Sequence, residues 1–251
     1  MNLVVDLNSD LGEGARHDNE ILDLVTSANI ACGFHAGDPA SIYASIQAAH
    51  DRGVAVGAHP SFADRANFGR TEMTIPPAEL YSLVAYQIGA FQALARAADA
   101  EMNHVKPHGA LYNMAARDRA LADLIARAIY AIDPKLILFA PAESELDLAA
   151  TEFGLQTASE VFADRNYLGN GSLVPRTSSD AFVHDPIEAA ERIIRMLTEG
   201  KVRAVDGTDV NVLATTVCVH GDNPQAVAFV RKLRERLELE DVMIAAPARL
   251  P

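Results

Sequence analysis

Seven short apolar runs rich in β-branched residues, alternating with longer segments of helical period, constrain this 251-residue chain more than any other feature. The runs are Leu3 to Asn8, Ser27 to Phe34, Val54 to His59, His104 to His108, Leu136 to Ala140, Thr157 to Phe162 and Val212 to His220. The helical segments lie at about 18–26, 39–52, 77–100, 118–132, 143–153, 186–199 and 223–237. Strands separated by helices form βα units and a parallel sheet. Asp38-Pro39, Pro76-Pro77, Asp185-Pro186 and Asn223-Pro224 put proline in first turns, where its missing N–H is not needed. With 49% hydrophobic residues, residues 1–251 are long enough to bury the core of one barrel domain. The stretches 62–76 and 164–185 have loop composition and no period, as loops over a site would.

The polar residues fall at the ends of the runs. Asn8, Asp10 and Glu13 follow the first, His35 and Asp38 the second, and His59 ends the third. Lys106 and His108 lie in the fourth. Glu160, Asp164 and Arg165 lie in or just after the sixth, and His220 and Asp222 close the seventh. All strand C-termini of a parallel barrel open onto one face, where such folds build their sites. His35, His59, His108 and His220 should therefore converge, with His104 a further candidate. Gly33, Gly37, Gly57, Gly109 and Gly221 beside them are expected to allow sharp turns or close approach to a ligand.

The formal charge of −13 repels a phosphate backbone, so nucleic acid is not an expected partner. No basic n-region with an apolar run opens the sequence, and no uncharged run could span a bilayer, so a cytoplasmic protein without membrane contact is expected. Cys32 and Cys218 are far apart and read as buried reduced thiols.

Six segments carry a family resemblance: Asp6-Leu-Asn-Ser-Asp-Leu-Gly-Glu-Gly14, Asn29-Ile-Ala-Cys-Gly-Phe-His-Ala-Gly-Asp38, Gly57-Ala-His-Pro-Ser61, Val105-Lys-Pro-His-Gly-Ala-Leu-Tyr-Asn113, Glu160-Val-Phe-Ala-Asp-Arg165 and Cys218-Val-His-Gly-Asp222. In this order, from about residue 3 to residue 247, the chain resembles the LamB/YcsF family, the 5-oxoprolinase A subunits. The resemblance implies a seven-stranded parallel (β/α) barrel like the glycoside hydrolase/deacetylase fold. It also implies ATP-driven opening of 5-oxo-L-proline to L-glutamate, with Mg-ATP as cofactor and B and C subunits as partners.

Such a reaction must neutralise phosphate and oxyanion charge, hold a carboxylate and activate water. Lys106 is the expected cation for the phosphoryl group or oxyanion, and its replacement by Ala is expected to abolish turnover with the fold intact. The structural alternative for Lys106 is an ion pair with Asp10 or Glu160. Arg165 is the expected grip on the substrate carboxylate, with Arg70 and Arg176 weaker alternatives. Asn8, Glu160 and His220 complete the expected substrate contacts. His59 and His108 are candidate acid/base groups, oriented by Asp10, Glu13 or Asp222. There is no P-loop, since Gly200-Lys201 is followed by Val202. Phosphates would need Gly12-Glu13-Gly14, Gly221 or a partner subunit. Two competing classes remain. One is a stand-alone metal-dependent deacetylase or amidohydrolase with a divalent ion on Asp10, His35 and His59; the other is a non-catalytic binding subunit.

Overall fold

The computed structural model describes residues 3–220 and 225–250. Seven parallel strands close into a barrel: β1 (Val4–Leu11), β2 (Ser27–Ala31), β3 (Ala55–His59), β4 (Met102–Val105), β5 (Ile137–Ala140), β6 (Gln156–Phe162) and β9 (Thr216–Cys218). Closure comes from β9, which pairs with β6 through Glu160↔Thr216 and with β1 through Asp6↔Thr216. The expected architecture is therefore the observed one. No helix among the described residues is long and apolar enough to cross a membrane.

Three features were not expected from the pattern. The short strands β7 (Lys201–Arg203) and β8 (Asp209–Asn211) form an antiparallel hairpin, so the seventh run enters the barrel only at Thr216. β10 (Met243–Ile244) pairs with the start of β1. The third is a helix, Gly109–Ala115, which follows β4 directly.

The helices around the barrel are α1 (Asp18–Leu22), α2 (Pro39–His50), α3 (Pro77–Ala97), α4 (Gly109–Ala115), α5 (Arg119–Ile132), α6 (Glu145–Phe153), α7 (Pro186–Glu199) and α8 (Ala226–Leu239). At the start of α2, Asp38 accepts from Ala40 and Ser41 N–H while the Ser41 hydroxyl accepts from Asp38 N–H, and Pro39 fits the first turn. Asp185 caps α7 in a similar way through Ile187 N–H. The expected start of the last helix at Asn223-Pro224 lies outside the described residues, as does Gly221. α5 turns Ala122, Ile125, Ala126 and Ile129 fully inward. Each such Ile contributes about 1.5–3 kcal/mol by leaving water.

Apolar packing fills the layer between strands and helices, whereas part of the barrel interior is polar. Asp6, Asn8 and Asp10 alternate along β1 and share its inner face. Thr216 donates to Asp6 at 2.5 Å, Asn8 donates to Thr216 at 2.7 Å, and Asn29 donates to Asn8 at 2.7 Å and to Asp10 at 2.9 Å. His104 continues this chain by donating Nε2–H to Asn29 Oδ1 at 2.8 Å, and its ring stacks on Phe139 with centroids 4.2 Å apart. His104 is thus fully buried scaffold rather than part of the converging group. It also explains Gly57: a Cβ there would lie 2.2 Å from the His104 ring, so the glycine makes room for a side chain, not for a ligand. Burial of Asp6, partly offset by donors from Thr216, Thr26 and Ser27, pushes its carboxyl up to about 6.

Candidate active site

β4 ends at Val105 because Pro107 has no N–H to continue the ladder, but Lys106 N–H still bonds Ala58 O at 3.0 Å. This leaves Lys106 buried at the end of the barrel with its ammonium inside. Nζ lies 3.0 Å from Asp10 Oδ1, 2.7 Å from Glu160 Oε1, 3.3 Å from Asn8 Oδ1 and 3.2 Å from Cys218 Sγ. Burial alone would lower the Lys106 pKa, but Asp10 and Glu160 outweigh it and hold the ammonium well above its ordinary value. Burial likewise raises Asp10, and His59 with Lys106 outweighs that and holds its carboxyl well below the usual range. The ion pair expected as the structural alternative for Lys106 is formed with both Asp10 and Glu160.

Beside this trio, four groups turn inward on one another. Glu13 Oε1 lies 2.8 Å from His35 Nε2, 3.7 Å from His59 Nε2 and 3.4 Å from His108 Nδ1. His59 Nε2 is 2.9 Å from His108 Nδ1 and 3.4 Å from Asp10 Oδ2. The rings of His35 and His108 stack at 3.8 Å. Burial, then the neighbouring His59, pushes both of them down to about 3. Burial and the Asp10 charge push Glu13 up. Of the expected metal set, His35 and His59 stand with Glu13 and His108, whereas Asp10 is engaged by Lys106 and Asn29.

Segment 62–76 folds over these rings. His108 Nε2–H donates to Phe68 O at 2.9 Å, Phe68 packs edge-on against His35 and His108, and Ala110 N–H donates to Gly69 O. At Gly109, φ is +55° and a Cβ would lie 2.6 Å from Gly69 O, so the loop docks only because this residue is glycine. Gln87 of α3 clamps Ser61 at both its N–H and its carbonyl, 2.9 Å each, and so fixes the hydroxyl that meets His35.

On the other side of Lys106, His220 Nδ1–H donates to Asp164 at 2.7 Å, and Arg176 donates to His220 Nε2 at 2.9 Å. Arg165 does not reach this cleft. It is buried, with Nε directed to Ala181 O at 3.3 Å and Nη2 to Val174 O at 2.5 Å, so it ties segment 164–185 to itself. Of the weaker alternatives, Arg176 is exposed beside His220. Asp222 lies outside the described residues. The Gly12-Glu13-Gly14 turn, expected as a phosphate cradle, has already given its Gly12 N–H to Asp18 at 2.9 Å and carries the Glu13 carboxylate, which opposes an anion.

Sequence reasoning missed three contributors. Cys218, read as a bland thiol, touches Lys106. Asn29 joins Asp10, Asn8 and His104. Tyr112 has a buried hydroxyl, pushed well up by burial and by the charge of Glu160. Its signal was present, since Tyr112 follows His108 by one helical turn. Among the described residues, Tyr112 Oη, Glu160 Oε2 and Asp164 Oδ1 are buried without a hydrogen-bond partner, while Glu160 Oε1 faces the Lys106 ammonium.

Fold and site together define a parallel βα barrel whose centre is a buried lysine between carboxylates, flanked by an imidazole group at the strand ends. The chain belongs to the LamB/YcsF family, whose model matches residues 5–250. A protein of Bacillus licheniformis, named as the A subunit of 5-oxoprolinase, is 54% identical over 96% of this chain and 98% of its own length. The crystal structure of the lactam utilization protein from Thermus thermophilus superposes with a TM-score of 0.91 at 46% identity, covering 98% of this chain and all of that one. A structure described as T48 deacetylase with substrate shares the fold alone, with a TM-score of 0.52 at 13% identity over 97% of this chain and 88% of that one.

Proposed function

We propose that this chain carries the lactam site of an ATP-dependent 5-oxoprolinase, opening 5-oxo-L-proline to L-glutamate together with B and C subunits. What carries the reading is the buried Lys106 held between Asp10 and Glu160, in a chain 54% identical to a protein named for this substrate. The edge of 5-oxoproline offers, in order, an acceptor (lactam oxygen), a donor (lactam N–H) and an anion (carboxylate). Lys106, Glu160 and Arg176 carry the complementary donor, acceptor and cation, Lys106 and Glu160 paired inside the barrel and Arg176 beside His220. Glu160 Oε2, buried with no donor of its own while Oε1 faces Lys106, gains one from the lactam N–H.

A lactam is a stabilised amide, and transfer of a phosphoryl group from Mg-ATP to its oxygen makes the ring carbon electrophilic. Lys106 neutralises charge at that oxygen. Asp10, ionised and directing Oδ2 away from Lys106, accepts from the attacking water. The C–N bond then breaks as the ring nitrogen takes up the proton that Asp10 received and leaves as an amine beside Glu160, and attack of a second water on the acyl phosphate so formed releases inorganic phosphate and L-glutamate.

The test is equilibrium binding of 5-oxoproline to the purified chain, with L-proline, which lacks the lactam oxygen, as the comparison. Expected are binding of 5-oxoproline alone and a loss of about tenfold or more in both Glu160→Gln and Arg176→Ala, the scale of one charge-assisted hydrogen bond. Equal binding of L-proline, or variants that bind like the wild type, would contradict this assignment.

A further inference from the structure

We propose that this chain binds one divalent transition-metal ion between Glu13 Oε1, His35 Nε2, His59 Nε2 and His108 Nδ1. The argument starts at the outer side of each ring. His59 Nδ1–H donates to Lys106 O at 2.6 Å, and His108 Nε2–H donates to Phe68 O at 2.9 Å. His35 Nδ1–H donates to Ser61 Oγ at 2.9 Å, because that hydroxyl directs its own proton to Phe62 O. His59 and His108 thereby turn a lone pair inward, and His35 does so in the tautomer whose Nδ1–H meets Ser61 Oγ, as the outer partners of metal-binding histidines orient them.

The inward atoms are then four acceptors. His35 Nε2 and Glu13 Oε1 stand 2.8 Å apart, and His59 Nε2 and His108 Nδ1 2.9 Å apart. Acceptors repel at such distances unless positive charge lies between them, so the group needs two protons or one doubly charged cation. Metal–ligand bonds of about 2.0–2.1 Å in a tetrahedral site place donors about 3.4 Å apart. Four of the six donor pairs, at 2.8–3.7 Å, bracket that spacing, and the stacked His35 and His108 rings tilt apart to share the ion. Three imidazoles with one carboxylate suit zinc, cobalt or nickel rather than magnesium, which prefers oxygen. The ion is thus distinct from that of Mg-ATP. A cleft of about 460 Å³, lined by Gly12, Glu13, His35, Asp38, Arg65 and Phe68, gives it a way in. The inference is independent of the lactam reading, because it concerns binding alone.

The test is titration of the chelator-dialysed full chain with cobalt(II), followed by visible absorption, with zinc(II) as competitor. Expected are one ion per chain with a dissociation constant below about 1 µM, displacement by zinc and none by magnesium. His35→Asn, His108→Asn and the partly exposed Glu13→Gln should each weaken binding at least about a hundredfold, and Ser61→Ala about tenfold to a hundredfold through the ring it orients. Circular dichroism identifies the variants that are folded, and Glu13→Gln serves if a histidine variant is not. No cobalt uptake by the folded wild type, or unchanged affinity in the folded variants, would overturn the proposal. So would a thiolate-to-cobalt charge-transfer band, which would place the ion at Cys218 with Asp10 and His220.

Discussion

Lys106→Met is expected to cut turnover by about a hundredfold to a thousandfold and to lower the unfolding free energy by about 3–5 kcal/mol. The first figure is the cost of removing one preorganised donor from a developing negative charge. The second follows from burial: Asp10 and Glu160 would each lose a cation inside the barrel. In a chain of this size that corresponds to a fall in Tm of about 10 °C. The two effects separate in the pair Lys106→Met with Glu160→Gln. Neutralising Glu160 relieves the stranded charge, so the double variant should recover much of the lost Tm and none of the turnover. A double variant that regains both would make Lys106 only a structural counter-ion. The measurements are thermal unfolding and glutamate formation on the same preparations.

Asp10→Asn is expected to lower turnover by a similar factor, about a hundredfold to a thousandfold, with a much smaller change in stability. The substitution keeps the shape, and an amide oxygen can still accept from Lys106 and Asn29. Lys106 also keeps Glu160 as its anion. What disappears is the ionised oxygen that faces His59 Nε2 at 3.4 Å and receives the attacking water. A variant that folds and turns over like the wild type would remove Asp10 from the chemistry. One that loses stability and activity together, with activity restored at low temperature, would make it scaffold.

How far the sequence reveals the site depends on what each residue's neighbours are. The strand-end rule brings Asp10, Glu13, His35, His59, Lys106 and His108 together, because the parallel barrel gives every strand end the same address. It fails for His104, which sits in the fourth run but faces the interior against Gly57 and Phe139. Strand alternation separates His104 from the mouth, and that phase depends on where β4 ends. Arg165 fails differently: nothing in the sequence distinguishes a guanidinium facing a cleft from one facing the carbonyls of Val174 and Ala181 in its own loop. α4 is not among the helical segments expected from the sequence; Pro107 ends the strand and Gly109 lets the helix start under Gly69. The β7–β8 hairpin had a legible signal, Asp206-Gly207 between alternating residues. It was hidden by the apolar run that follows it.

The measurement closest to the central claim is glutamate released from 5-oxoproline and ATP by this chain with the proposed B and C subunits, assayed together and with each omitted. Glutamate is expected from the complete mixture only, with the chain's Lys106 variants inactive although assembled. Full turnover without this chain, or with its Lys106 replaced, would contradict the claim that the lactam is opened here.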